Sequence, residues 1–307
     1  MSVIRTDLAM EAFQSTGGDA LPGVKINRWE EMGVAVTEVL IESPQAAESL
    51  GKPVGTYLTL DCPALRRRDI EARLALGNLL GEELGRLIQP SREAPVLVIG
   101  LGNRDITPDA LGPLAAERVL VTRHMFRELP QYTDKRLKSV CAVAPGVLGV
   151  TGVETLEMAE SLVRAVRPTA VLCIDSLAAG ASSRICATVQ ISDTGIQPGS
   201  GVGNHRRALT RESLGVEVIS LGVPTVIYAA TLARDAMERV APEGQKENEA
   251  AFNSFEQELA ETELGELIVT PREIDALVLD AAEVVAAGIN RALQPELSDE
   301  EIMAMMD

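Results

Sequence analysis

Residues 96–113 read VLVIGLGNRDITPDALGP. The apolar, β-branched run from Val96 to Ile99 stops at Gly100, and Gly100 and Gly102 let the backbone turn before a helical pattern resumes near Pro113. The order is strand, loop, helix. The loop carries Asn103, Arg104, Asp105, Thr107 and Asp109 at the carboxyl end of a buried strand, where open α/β sheets place their ligand sites.

Working outward, the same alternation recurs. Upstream, residues 1–30 hold Gly17, Gly18, Pro22 and Gly23 and are expected as an extended arm or loop. Strands are expected at Val34 to Ile41 and Gly55 to Asp61, followed by an amphipathic helix from Arg66 to Ile88. Downstream, helix continues from Leu114 to Phe126, a short strand follows at Val140 to Ala144, and a helix from Glu154 to Val166 is closed by Pro168. Thr169 to Ile174, TAVLCI, is a buried strand that delivers Asp175 at its carboxyl end. Further strands are expected at Ile185 to Ile191 and Val216 to Leu221, with Pro224 after the second and a helix from Val226 to Val240. Residues 241–265 are charged and read as a solvated excursion; Thr270, Pro271 and Glu273 have the form of a helix start, and the last residues that of a frayed tail. The pattern predicts an α/β fold with a mostly parallel, twisted sheet and helices on both faces, undivided by any linker.

Composition narrows the function. A 307-residue chain that is 46% hydrophobic and 3% aromatic packs mainly with small aliphatic side chains. The net charge of −17 argues against direct nucleic-acid binding, which wants clustered Lys and Arg. Cys62, Cys141, Cys173 and Cys186 have no C-x-x-C spacing and are expected as free thiols in a reducing compartment. The first residues lack a signal-peptide pattern and no apolar run reaches membrane-spanning length, so a cytoplasmic protein with no membrane partner is expected.

No H-E-x-x-H, G-x-S-x-G or G-x-x-x-x-G-K-[ST] motif is present. GLGNRD and GSGVGN each match part of a dinucleotide fingerprint, but the third glycine is replaced by Asp105 and Asn204, so a non-catalytic nucleotide-binding module is only a rival reading. Asp193-Thr194-Gly195 resembles the triplet of pepsin-like proteases, which need two copies on β lobes; here it is a chance match. There remain Asp109 and Asp175, both just past the carboxyl ends of predicted parallel strands. Two close carboxylates do not both ionise cheaply, so one serves as general base and its protonated partner as general acid, an arrangement that activates water against a peptide carbonyl. The competing structural roles are a helix-dipole partner for Asp109 and a turn-former for Asp175.

The motifs VIRTDLAMEA (residues 3–12), GLGNRDITPDALGP (100–113), PGVLGVTGVET (145–155), IDSLAAG (174–180), DTGIQPGSGVGNHR (193–206) and LGVPTVI (221–227) resemble those of the germination protease, or spore protease, family of endospore-forming bacteria (peptidase family A25). The resemblance implies an aspartate-dependent endopeptidase that starts degradation of small acid-soluble spore proteins during germination. It implies a zymogen and a homotetramer in the cytoplasm of the forespore and the spore core, with no cofactor. Its essential aspartates correspond to Asp109 and Asp175. Its fold is similar to that of hydrogenase maturation proteases, which leaves a metal-dependent alternative using Asp109, Asp175 and His205. Arg5-Thr6-Asp7-Leu8-Ala9 resembles the substrates' cleavage sites, an acid followed by an aliphatic or aromatic residue and alanine. Self-cleavage is therefore expected at Asp7-Leu8, with residues 1–7 as propeptide and 8–307 as one peptidase domain.

Overall fold

The computed structural model describes residues 6–16, 21–197, 207–240, 252, 254–255, 258–259 and 262–306. The strands among them are β1 (Val24–Glu31), β2 (Val34–Ile41), β3 (Gly55–Asp61), β4 (Val96–Gly100), β5 (Val140–Val143), β6 (Ala170–Ala179), β7 (Thr188–Ser192), β8 (Glu217–Tyr228) and β9 (Ile268–Val269). They form one sheet in the order β1-β2-β3-β7-β8-β6-β4-β5, with β9 added against β8. The expected α/β class holds: β5, β4, β6 and β8 pair in parallel. An antiparallel wing of β7, β3, β2 and β1 extends the sheet on the β8 side.

Helices cover both faces. They are α1 (Ala9–Gln14), α2 (Pro44–Leu50), α3 (Ile70–Leu87), α4 (Leu111–Ala116), α5 (Arg123–Glu128), α6 (Leu148–Thr151), α7 (Thr155–Val166), α8 (Arg211–Leu214), α9 (Ala229–Val240), α10 (Ile274–Leu293) and α11 (Asp299–Met306). Side chains alternate along a strand, so β6 sends Leu172 and Ile174 to one face and Val171 and Cys173 to the other. The first pair joins Val96, Val98, Leu80, Leu111 and Val285, under α3, α4 and α10. The second joins Leu97, Ile99, Leu156 and Leu214, under α7 and α8.

Several sequence-based expectations are corrected. Among the described residues of the stretch 1–30, expected as an extended arm or loop, Leu8, Ala9, Met10 and Phe13 are buried around α1, and β1 pairs with β2 across Met32-Gly33, both at positive φ. β1 is half-exposed at the sheet edge and carries polar side chains, so it gives no alternating apolar signal. The helix expected from Leu114 to Phe126 breaks into α4 and α5. Between them the buried Asn290 of α10 accepts from Leu120 N–H (2.8 Å) and donates to the Arg118 carbonyl (2.9 Å), replacing helical bonds.

β6 and β8 both run further than expected. Pro224 lies inside β8, opposite Leu177, where the register shifts between Leu177 and Ala178; proline is tolerated at such an irregularity. α10 starts at Ile274, because the Thr270 hydroxyl donates to the Thr225 carbonyl (3.0 Å) rather than capping a helix. The tail is helical: Ser298 and Glu301 bond each other's backbone N–H groups as a capping box, and Ile302 is buried against Leu120 and Leu137. All four cysteines are free. The second glycine loop, with its DTGIQPGSGVGNHR residues 198–206, and most of the charged stretch 241–265 lie outside the described residues.

α4 sits directly on the strand ends. A Cβ at Gly112 would overlap the Leu101 carbonyl and stand 2.6 Å from the Ile174 carbonyl oxygen. Both neighbours are backbone, so Gly112→Ala is expected to cost about 2–3 kcal/mol, read by urea unfolding. Asn290→Ala strands a buried N–H and a carbonyl and is expected to cost about 2–4 kcal/mol in the same measurement.

Candidate active site

β4 and β6 do not end together. Gly100 pairs with Ile174, and Leu101 N–H donates to the Ile174 carbonyl at 2.8 Å. Asp175 is therefore the first residue of β6 beyond its partner β4. Contrary to the sequence-based picture of a strand-end residue, it lies within the strand and pairs with Gly222 on β8. It is 5% exposed, and its Oδ1 accepts from Ser176 N–H at 2.9 Å. Two residues back, burial pushes the Cys173 thiol pKa up.

Asp109 closes a 3-10 turn, Thr107–Asp109, in the loop after β4. Its N–H donates to the Ile106 carbonyl (2.8 Å), and its Oδ2 accepts from Asn103 N–H (2.7 Å). The side chain thus folds back over Gly102, which holds φ +112° and has no room for a Cβ against the Asp109 backbone. The turn is tied to β8 by the Thr225 hydroxyl, which donates to the Pro108 carbonyl at 2.6 Å. Arg104 pairs with Glu117 on the exposed side of the loop. Since β4 and β6 are neighbours, the two aspartates singled out in the sequence arrive at the same end of the sheet.

The Asp7-Leu8 segment is seated, not loose. Asp7 N–H donates to the Ala178 carbonyl (2.9 Å), and Ala178 N–H donates to Asp7 Oδ2 (2.8 Å). The Gln190 carboxamide donates to the Asp7 carbonyl (3.1 Å) and accepts from Ala9 N–H (2.8 Å). Leu8 and Ala9 are 0% exposed. Lys52 Nζ donates to the Thr6 carbonyl at 3.1 Å. Burial lowers the Lys52 pKa, opposed by the charges of Asp7 and Glu11. Burial likewise raises the Glu11 pKa, opposed by the Thr6 hydroxyl, the Gly180 N–H and Arg184. Arg184 ion-pairs with Glu11 (3.0 Å) and with Asp61 of β3 (2.5 Å), fastening α1 to the sheet.

Sequence reasoning missed a polar row. Thr37, Thr59, Gln190, Gly222 and Asp175 are in register on β2, β3, β7, β8 and β6. In-register neighbours project to one face, so Gln190 and Asp175 share a face of the sheet. Thr37, Thr59, Gln190 and Asp175 are all buried. The available signal was a polar residue centred in an apolar strand, as in TYLTLD and TVQIS.

His205 lies outside the described residues. Among the described residues no group of three His, Cys, Asp or Glu side chains is gathered to hold a metal ion. Asp193 of the Asp-Thr-Gly triplet accepts from Thr56 N–H (2.8 Å), a bond that fastens the start of β3.

Comparison with known proteins agrees with the motifs. The family model described as Germination protease matches residues 4–265. A germination protease of Caldanaerobacter subterraneus subsp. tengcongensis is 41% identical, covering 99% of this chain and 98% of its own length. Those of Clostridium tetani (36%; 99% and 99%) and Clostridium perfringens (40%; 97% and 98%) are similar along comparable lengths. Matching nearly end to end at such identity, the chain belongs to the germination protease family and is a peptidase.

Proposed function

We propose that the chain is an endopeptidase that cleaves small acid-soluble spore proteins during germination, with Asp109 and Asp175 as its catalytic pair. One observation carries the assignment: the neighbouring parallel strands β4 and β6 deliver both carboxylates to one end of the sheet. Asp109 is the base. It is half-buried and already accepts an N–H bond from Asn103, which favours its ionised form. Asp175 is the acid: it too accepts one N–H bond, from Ser176, but its deeper burial within β6 favours the neutral form. Asp109 takes a proton from water as the oxygen bonds to the peptide carbonyl carbon, and Asp175 protonates the carbonyl oxygen. The C–N bond then breaks, with a proton passing to the leaving amine.

The same chemistry acting on Asp7-Leu8 removes residues 1–7 from a zymogen, leaving 8–307 as the mature peptidase. The names of the relatives and the motif match support the germination setting, and the protein works in the spore core as a homotetramer.

Asp109→Asn and Asp175→Asn are each expected to lower cleavage of a spore-protein substrate by at least about 10³-fold, with unchanged thermal melting. Mass spectrometry of the same variants should show residues 1–7 retained. An Asp175→Asn protein with full activity overturns the assignment. Activity abolished by exhaustive chelation and restored by a divalent metal would instead favour a metal-dependent version using the same carboxylates.

A further inference from the structure

β8 is not a regular strand. Leu177 of β6 pairs with Pro224 and Ala178 pairs with Val226, so Thr225 is one residue extra on the β8 side. A bulge of this kind leaves its extra residue out of the ladder, and bulges beside active sites re-aim a side chain. The carbonyls at the bulge are bonded from elsewhere: Cys186 N–H donates to that of Pro224 (2.7 Å), and the Thr270 hydroxyl donates to that of Thr225 (3.0 Å). The irregularity is therefore fastened at two points. Thr225 itself is 0% exposed, and its hydroxyl donates at 2.6 Å to the Pro108 carbonyl, in the loop that follows β4.

What that bond holds is the amide unit in front of Asp109. Its carbonyl accepts from Thr225, and its N–H donates to the Ile106 carbonyl at 2.8 Å. The following unit is held as well, since Ala110 N–H donates to the Thr107 carbonyl (3.1 Å). A peptide unit is planar, so fixing the units on both sides of Asp109 fixes the direction of its Cα–Cβ bond. At the far end of the side chain, the carboxylate accepts from Asn103 N–H at 2.7 Å. The loop makes the last three bonds within itself, whereas the bond from Thr225 ties it to the sheet. On β8, Gly222 pairs with Asp175 only three residues before Thr225. The same strand thus sits against one aspartate and holds the turn that carries the other.

We propose that Thr225 is a positioning residue of the peptidase: the hydroxyl presented by the β8 bulge holds the Pro108–Asp109 peptide unit, and through it the Asp109 carboxylate, in the orientation that the chemistry uses. The proposal rests on the reading of Asp109 as the catalytic base and adds a residue to it. Threonine suits the task because a β-branched side chain is stiff about its first torsion. Letting a reacting group drift by about 1 Å costs on the order of 10²-fold in rate. Substrate binding does not depend on that bond, so the loss falls on kcat and spares KM.

The test compares the full-length wild type with Thr225→Val, which keeps the shape and removes the donor, and with Thr225→Ser, which keeps the donor. Steady-state cleavage of a spore-protein substrate is measured well below the melting temperature of each protein. Thr225→Val is expected to lower kcat by about 10- to 100-fold with KM within about twofold of the wild type, and Thr225→Ser to restore kcat to within about threefold. A Thr225→Val protein with unchanged kcat overturns the proposal, and so does a Thr225→Ser protein as slow as Thr225→Val. Should Thr225→Val not fold, Thr225→Cys takes its place, since a thiol is a weak donor of similar size; wild-type kcat in that variant overturns the proposal equally. Amide hydrogen exchange over residues 103–110, followed by mass spectrometry, reads the clamp without turnover. Exchange there should be at least about tenfold faster in Thr225→Val and near wild type in Thr225→Ser, and unchanged exchange in Thr225→Val counts against the clamp. Full activity of Asp109→Asn would instead remove the catalytic reading itself, whereas an inactive Asp109→Asn beside a fully active Thr225→Val removes this proposal alone.

Discussion

The feature on which the site depends is the mismatch in length between β4 and β6. β4 stops at Gly100, where Leu101 N–H makes its last bond to the Ile174 carbonyl, and β6 continues for five more residues. The chain leaving β4 turns through Gly102 and returns as α4, whose Gly112 backbone rests on the Leu101 and Ile174 carbonyls. No side chain fits between. This backbone-on-backbone contact fixes the 3-10 turn that carries Asp109, while the unmatched part of β6 carries Asp175 and Ala178. Both the candidate catalytic pair and the seat for the N-terminal segment follow from a single strand outrunning its neighbour.

The parallel half of the sheet was legible in the sequence because its strands are buried on both faces. VLVIG and TAVLCI have no polar position to confuse them, and the strands at residues 34–41 and 55–61 carry their own boundaries. What escaped reading has a common physical origin: partners remote in sequence. β1 is defined by pairing with β2 and not by apolar spacing. The break between α4 and α5 depends on Asn290, about half the chain away. Asp175 and Pro224 look like strand terminators, yet the pairing of β6 with β8 carries both strands past them.

The candidate site divides in the same way. Asp109 and Asp175 stood out because each follows an apolar run, a purely local signal. Gln190 and Lys52 did not, since what marks them is a bond to Asp7, 183 residues away, or to Thr6, 46 residues away. A glutamine in TVQIS is unremarkable until its register with Gly222 and Asp175 is known.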